Sequence, residues 1–141
     1  PGGLIAIKEQ DMGLGRLHPA PAALSWHLTE AMGATARHIQ SGLRACALRV
    51  RLTRVGLADI QQRTVLIERW APLLPVERHF LAEALTLWVD TAARYGVTPA
   101  DQATWGRLAD PASPDYLLDQ PDLCYTEAHV VATGRVPVVV G

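Results

Sequence analysis

A helical repeat of apolar side chains between Glu77 and Tyr95 is the clearest regular pattern in this chain. Gly96 follows it directly, and glycine suits the end of a helix because it accepts the left-handed backbone conformation found there. A helix with a wide apolar face must bury that face against other elements, so the remaining patterns decide what it packs on. The apolar face consists of Phe80, Leu81, Ala84, Leu85, Trp88 and Ala92.

Three other segments carry helical signals. Apolar side chains recur at helical spacing over residues 19–40, which begin with prolines where a missing N–H costs little. Residues 57–70 predict another helix, ended by the prolines that follow it. Thr98 and Pro99 form an N-cap followed by proline at the first helical position, which predicts a short helix over residues 99–109.

Elsewhere the apolar repeat shortens to two residues, which is typical of strands. Over residues 46–53, larger apolar side chains alternate with arginines and small or polar residues, as in a strand with one buried face. Thr133 and Gly134 stand between two apolar runs and favour a hairpin. The predicted strands are residues 4–8, 46–53, 124–133 and 135–140, and the predicted loops are residues 9–18 and 110–122.

Strands near both ends of the chain, with the helices mostly between them, predict an α+β fold. We expect a small sheet of about four strands, with three to four helices packed mainly on one face. The sequence contains no internal repeat and no linker, and a length of 141 residues suits one domain. Residues 1–141 are therefore predicted to form a single globular domain.

The composition narrows the possible classes of function. Hydrophobic residues make up 49% and charged residues 19% of the chain, which excludes a mainly disordered protein. No apolar run is long enough to span a bilayer, so no membrane association is expected. A formal net charge of −1 argues against a dedicated nucleic-acid-binding protein. The sequence Pro1-Gly2-Gly3-Leu4 has neither the basic nor the apolar region of a signal peptide, so we expect a cytoplasmic protein.

The motifs predict no cofactor and no metal. Gly13-Leu14-Gly15 lacks the third glycine of a dinucleotide-binding fingerprint, and neither a phosphate-binding loop nor a nucleophile elbow is present. Cys46 and Cys124 lie far apart in sequence and do not have the spacing of a metal site. Twelve arginines against a single lysine indicate a GC-rich, bacterial-type composition rather than a particular function.

Charge is distributed unevenly along the chain. Residues 37–78 hold eight arginines against three acidic residues, whereas residues 101–127 hold six acidic residues against one arginine. These regions are expected to attract each other within a chain or between subunits. Arg49 and Arg51 are predicted to bind an anionic ligand, because a guanidinium group matches the geometry of carboxylate and phosphate. Alternatively, they solvate an open sheet face or pair with the acidic segment 110–122.

Tyr125, Glu127 and His129 alternate along the predicted strand 124–133, so their side chains point to the same face. A carboxylate fixes the tautomer of a neighbouring imidazole, which titrates near neutral pH, so this pair suits acid–base catalysis. The phenol is a possible third member, and His79 is the predicted contribution from the neighbouring helix. The polar outer face of an ordinary sheet has the same pattern.

His79 also has its own carboxylate, because Glu83 lies one helical turn away on the predicted helix. An imidazole and a carboxylate at this spacing can form an oriented acid–base pair. A solvated helix face has the same spacing of polar residues. Both interpretations stay open at this point.

Two functional hypotheses follow from these patterns. In the first, a small soluble enzyme or enzyme subunit acts on an anionic small molecule by acid–base chemistry of a histidine and a carboxylate. Its catalytic residues are Glu127, His129, Tyr125 and His79, and its ligand-binding residues are Arg49 and Arg51. In the second, a non-catalytic accessory subunit docks a partner through an apolar surface. Under both hypotheses, the high apolar content and the unpaired edge of strand 135–140 predict a homo-oligomer.

Overall fold

A computed structural model describes residues 2–35 and 39–138 of the chain. Over these residues the protein has the predicted α+β fold, and its antiparallel sheet has three strands rather than about four. The strands are β1 (Leu4–His18), β2 (Ala58–Trp70) and β3 (Cys124–Arg135), and they lie in the order β1-β3-β2. The helices are α1 (Ala22–Thr35), α2 (Ile39–Gly42), α3 (Leu48–Arg54), α4 (Pro75–Tyr95) and α5 (Pro99–Ala109), with 3-10 segments at Ala45–Ala47 and Leu117–Asp119.

The central strand β3 runs without a break through Gly134, the position of the predicted hairpin. This glycine is buried, and a Cβ atom there would lie 3.1 Å from Cβ of Leu57 and 3.3 Å from Cγ1 of Ile60. Glycine is therefore needed for close packing and not for a turn. Residues 136–138 of the predicted strand 135–140 are irregular, and residues 139 and 140 lie outside the described ranges.

Two other predictions are wrong in the type of element. Residues 46–53, predicted as a strand, form part of a 3-10 turn and most of helix α3. Leu48 and Leu52 are buried four residues apart, whereas Val50 between them is 51% exposed, so the buried positions follow a helical spacing. Residues 57–70, predicted as a helix, correspond to strand β2. This edge strand leaves apolar side chains exposed on both faces, so no alternation marks it in the sequence.

Strand β1 extends through the predicted loop at residues 9–18. Its pairing with β3 is irregular between Asp11 and Arg16, around the two glycines that suggested a loop. Glycines within a strand often mark such an irregularity, because they weaken regular pairing. Beyond it the pairing resumes and continues to His18, which lies opposite Cys124.

Helices α1, α4 and α5 cover one face of the sheet, and helix α3 packs on the other. On the second face, Leu48 and Leu52 of α3 pack with Val130 and Ala132 of β3. Each face is covered over only part of its length, because Val65 on the first face and Leu66 on the second are 43% and 54% exposed. The core on the first face includes Leu24, Leu28, Leu81, Leu85, Trp105, Leu117 and Tyr125.

Helices α4 and α5 are confirmed close to their predicted bounds, with Gly96 and Thr98 as the expected caps and an additional cap at the start of α4. The carboxylate of Glu77 accepts a hydrogen bond from the backbone N–H of Leu74 at 3.0 Å, at the start of α4. Gly96 ends this helix with a φ angle of 72°. At the start of α5, the hydroxyl of Thr98 accepts a hydrogen bond from the backbone N–H of Asp101.

We expect Leu81→Ala to lower the free energy of unfolding by about 2–5 kcal/mol, because truncation of a buried leucine leaves a cavity. Leu81 is 1% exposed in the core, whereas Leu87 on the same helix is 62% exposed. Leu87→Ala is therefore the matched control, with an expected change below about 1 kcal/mol. Urea unfolding followed by circular dichroism measures both values. Equal losses in the two variants would contradict this position of the core.

Candidate functional site

Tyr125, Glu127 and His129 lie on the same face of the central strand β3, and helix α4 covers this face at the Tyr125 end. These three side chains form a polar row, and their exposure to solvent increases along it. Tyr125 is 4% exposed and Glu127 is 7% exposed, whereas the side chain of His129 is 17% exposed. The three side chains therefore lead from the core towards a part of the sheet where the cross-strand neighbours Gln10 and Val65 are exposed.

Arg69 on strand β2 is a further partner of this row, although the sequence patterns did not identify it. It lies directly opposite Tyr125 in the strand register, and its Nη1 atom is 2.9 Å from Oε1 of Glu127. Its guanidinium group also lies over the rings of Phe80 and Tyr125, at 5.0 and 5.6 Å from their centroids. The side chain of Arg69 is 18% exposed and that of Glu127 is 9% exposed, so the ion pair is largely removed from water.

The hydroxyl of Tyr125 donates a hydrogen bond to the second carboxylate oxygen of Glu127, Oε2, at 3.1 Å. Burial raises the pKa of this phenol well above its ordinary value, and the neighbouring Glu127 charge and hydrogen bond raise it further, while Arg69 opposes the shift. Tyr125 therefore remains protonated and acts as a donor. Both oxygens of Glu127 have partners, which is how a carboxylate is tolerated at this depth.

His129 is the member of the row with unused hydrogen-bonding capacity. Its Nε2 atom lies 3.8 Å from Oε2 of Glu127, which is too far for a direct hydrogen bond. Its Nδ1 atom is buried and has no hydrogen-bond partner among the described residues. A buried nitrogen without a partner costs about 1–3 kcal/mol. The imidazole is thus close to a fixed negative charge but does not form a hydrogen bond with it.

Beyond His129, the same face of the sheet is open and carries positive charge. Gln10 and Val65 are the cross-strand neighbours of His129, and Lys8 and Arg63 lie next along the same face, on either side of Val131. All four of these neighbouring side chains are exposed. Among the paired positions of this face, Glu127 is the acidic residue, and its carboxylate is paired with Arg69. The open part of the face therefore favours an anion.

Arg49 and Arg51 lie on helix α3 and not on a strand. This helix packs on the face of the sheet opposite to His129, so the structure does not bring the two arginines to the row. Neither arginine forms an ion pair within the described ranges. The acidic segment 110–122 pairs instead with His18, Arg78 and Arg107. The assignment of Arg49 and Arg51 as ligand-binding residues therefore stays a prediction, and both residues lie on a helix.

The arginine-rich and acidic regions of the chain do attract each other. Arg69 pairs with Glu127, and Arg78 pairs with Asp119 while also donating a hydrogen bond to the carbonyl of Leu118. Both arginines belong to the region 37–78, and both acidic partners belong to 101–127. The uneven distribution of charge along the sequence thus corresponds to contacts within one chain.

His79 is exposed on helix α4, where its Nε2 atom lies 3.5 Å from Oε1 of Glu83. Both side chains are more than two-thirds exposed, which agrees with a solvated helix face. In the described part of the chain, no ion pair or hydrogen bond joins His79 to the row on β3. The structure therefore brings Tyr125, Glu127, His129 and Arg69 together and leaves His79 apart from them.

Comparison with known proteins does not assign this site. No family model matches the chain, and no curated protein matches it. Within the described ranges, no group of three or more His, Cys, Asp and Glu side chains could hold a metal ion. Also within these ranges, none of the helices is both long and apolar enough to cross a membrane. The chemistry of the row must therefore be inferred from its own contacts.

Removal of either partner of the buried ion pair should destabilise the fold. We expect Arg69→Ala and Glu127→Ala each to lower the free energy of unfolding by about 3–5 kcal/mol, because each leaves an unpaired buried charge. The double variant should lose less than the sum of the two, because it leaves neither charge behind. Urea unfolding of the four proteins gives this double-mutant cycle.

The exposed pair of Arg107 and Asp115 is the matched control for this cycle. Their atoms Nε and Oδ2 are 3.3 Å apart, and both side chains are 57% exposed. Arg107→Ala should change stability by less than about 1 kcal/mol, since water screens an exposed pair. A similarly small effect of Arg69→Ala would contradict the inferred role of the buried pair.

High pH should destabilise the fold through Tyr125. Above pH about 10 the unfolded chain loses the phenol proton, whereas the folded chain keeps it because its pKa is raised. The folded state then binds more protons, so the free energy of unfolding falls as the pH rises from about 10. The stability advantage of the wild type over Tyr125→Phe should be constant below about pH 9 and shrink above 10. Urea unfolding at fixed pH checks this, and a constant difference would contradict the raised pKa.

Proposed function

We propose that this chain is a small enzyme, or a subunit of one, which acts on an anionic small molecule with His129 as the proton-transferring group. The observation that supports this most directly is the position of His129. Its imidazole faces the buried carboxylate of Glu127 at 3.8 Å while part of the side chain remains exposed on the open sheet face. Imidazole is the side chain best suited to exchange protons near neutral pH.

Glu127 acts in this proposal as a positioning residue. Arg69 and Tyr125 hold its two oxygens, so it provides a fixed negative charge beside His129 rather than carrying the proton itself. A fixed carboxylate stabilises the imidazolium ion that forms when histidine accepts a proton. Tyr125 remains protonated and keeps the carboxylate in place.

Lys8 and Arg63 supply the positive charge for an anionic substrate. They lie on the same face as His129, on the two strands that flank β3, and both are exposed. Arg49 and Arg51 were the residues predicted for this role. They lie on the far side of the sheet, so an anion bound there would not contact the imidazole.

Exposed apolar side chains on α4 favour a second candidate function, a non-catalytic subunit that docks a partner. Val76, Phe80 and Leu87 are 71%, 41% and 62% exposed, and their spacing places them along one face of the helix. Apolar patches on a surface often mark interaction sites. A homo-oligomer formed through this face, or through the edges of β1 and β2, is proposed under either function.

The proposed function is tested with 5-nitrobenzisoxazole, a neutral probe whose ring opens when a base removes one proton. We expect the protein to open the ring faster than free imidazole does at the same pH. His129→Ala should lower the rate by about 10²-fold, within the range that a positioned acid–base group contributes. His79→Ala is the matched control, because His79 also faces a carboxylate but is exposed on α4. The absorbance of the phenolate product measures the rate.

Phosphate serves as a competing anion in the same assay. Millimolar phosphate should inhibit the wild type, and Lys8→Ala combined with Arg63→Ala should weaken the inhibition severalfold. Arg49→Ala combined with Arg51→Ala should leave it unchanged. A rate that does not depend on His129 would contradict the enzyme proposal. In that case, loss of self-association in Val76→Asp, measured by light scattering, would show that the exposed face of α4 is an interaction surface.

A further inference from the structure

A cavity of about 210 Å³ lies between the irregular part of β1, helix α1 and helix α4. Its wall is largely apolar and includes three aromatic residues, Trp88, Trp105 and Tyr125. The ring centroids of Trp88 and Trp105 are 5.8 Å apart, and those of Trp88 and Tyr125 are 5.9 Å apart. The three rings therefore form a continuous aromatic cluster, in which Trp88 is half-buried and the other two rings are buried.

Trp105 provides a hydrogen-bond donor that the protein does not use. The residue is 1% exposed, and its Nε1 atom has no hydrogen-bond partner in the described part of the chain. The N–H group of a buried tryptophan usually finds an acceptor, since leaving it without one is costly. A phenylalanine would fill the core without this cost. Because Trp105 is also a residue of the cavity wall, a ligand in the cavity is a potential source of the missing acceptor.

Apart from Gln10 and Arg16, the rest of the wall fits a mostly apolar molecule. The hydroxyl groups of Thr29 and Thr91 donate to backbone carbonyls of their own helices, at 2.8 and 2.6 Å, and so are already occupied as donors. Met12 and Met32 also line the cavity, and methionine side chains adapt readily to the shape of a ligand. An engineered apolar cavity of about 150 Å³ holds benzene, so the volume here suits one substituted ring.

We propose that this cavity binds a small aromatic molecule with a carbonyl oxygen, and that the Nε1–H of Trp105 donates a hydrogen bond to this oxygen. The ring of the ligand packs against Trp88 and Tyr125. His129 and Glu127 are not among the residues that line the cavity. Tyr125 belongs to both sites, but binding in the cavity does not require the proton transfer proposed at His129, so either proposal can fail without the other.

Acetophenone and α-methylstyrene form a matched pair of probes, because they have nearly the same shape and only acetophenone has an acceptor oxygen. The resonance of the Trp105 indole N–H in ¹⁵N spectra is the readout. We expect acetophenone to shift this proton downfield and α-methylstyrene to leave its hydrogen bonding unchanged. Acetophenone should also bind roughly fivefold more tightly, as expected for one added hydrogen bond.

Trp105→Phe keeps an aromatic ring and removes the donor. It should weaken acetophenone binding about fivefold and remove the preference over α-methylstyrene. Trp70→Phe is the control, because Trp70 is 60% exposed and does not line the cavity. If Trp105→Phe does not fold, the wild-type shifts with the two probes decide the question. Absence of binding, or the same Trp105 shift with both probes, would overturn the proposal.

Discussion

The ion pair between Arg69 and Glu127 joins three elements of the fold. Arg69 belongs to an edge strand, Glu127 to the central strand, and the guanidinium group between them also lies over the ring of Phe80 on helix α4. A carboxylate that is 7% exposed needs a partner, because an unpaired buried charge is far more costly than the pair. The packing of α4 on the sheet therefore depends on a polar contact as well as on the leucine core.

The elements that the sequence predicts well are those whose signals are local. Helix α4 and helix α5 have caps and apolar faces within their own residues, so Pro75–Tyr95 and Pro99–Ala109 agree closely with prediction. Residues 46–53 fit both a strand and a helix, because Leu48 and Leu52 occur in both repeats. Only packing against the sheet decides between them. Strand β2 is an edge strand with mixed faces, and such a strand has no repeat to recognise.

The candidate site also has a part that local signals predict and a part that they do not. Tyr125, Glu127 and His129 could be placed on one face from their alternation alone, because neighbouring positions of a strand point to opposite faces. Arg69 could not be found, since its place beside Glu127 follows from the register of β2 against β3, and 57–70 was assigned to a helix. Cross-strand partners are long-range information, which a single sequence does not contain.

Tyr125 belongs both to the polar row and to the wall of the cavity. Its hydroxyl donates to Glu127, whereas its ring packs against Trp88. The hydrogen bond at one end and the aromatic contact at the other together restrict the direction of the side chain. Glu127 does not line the cavity, so its carboxylate is kept apart from the apolar part of the wall, and Arg16 is the charged residue that does line it. The phenol therefore acts as a boundary on the Glu127 side, because this carboxylate would lose its partners Arg69 and Tyr125 if it faced the cavity.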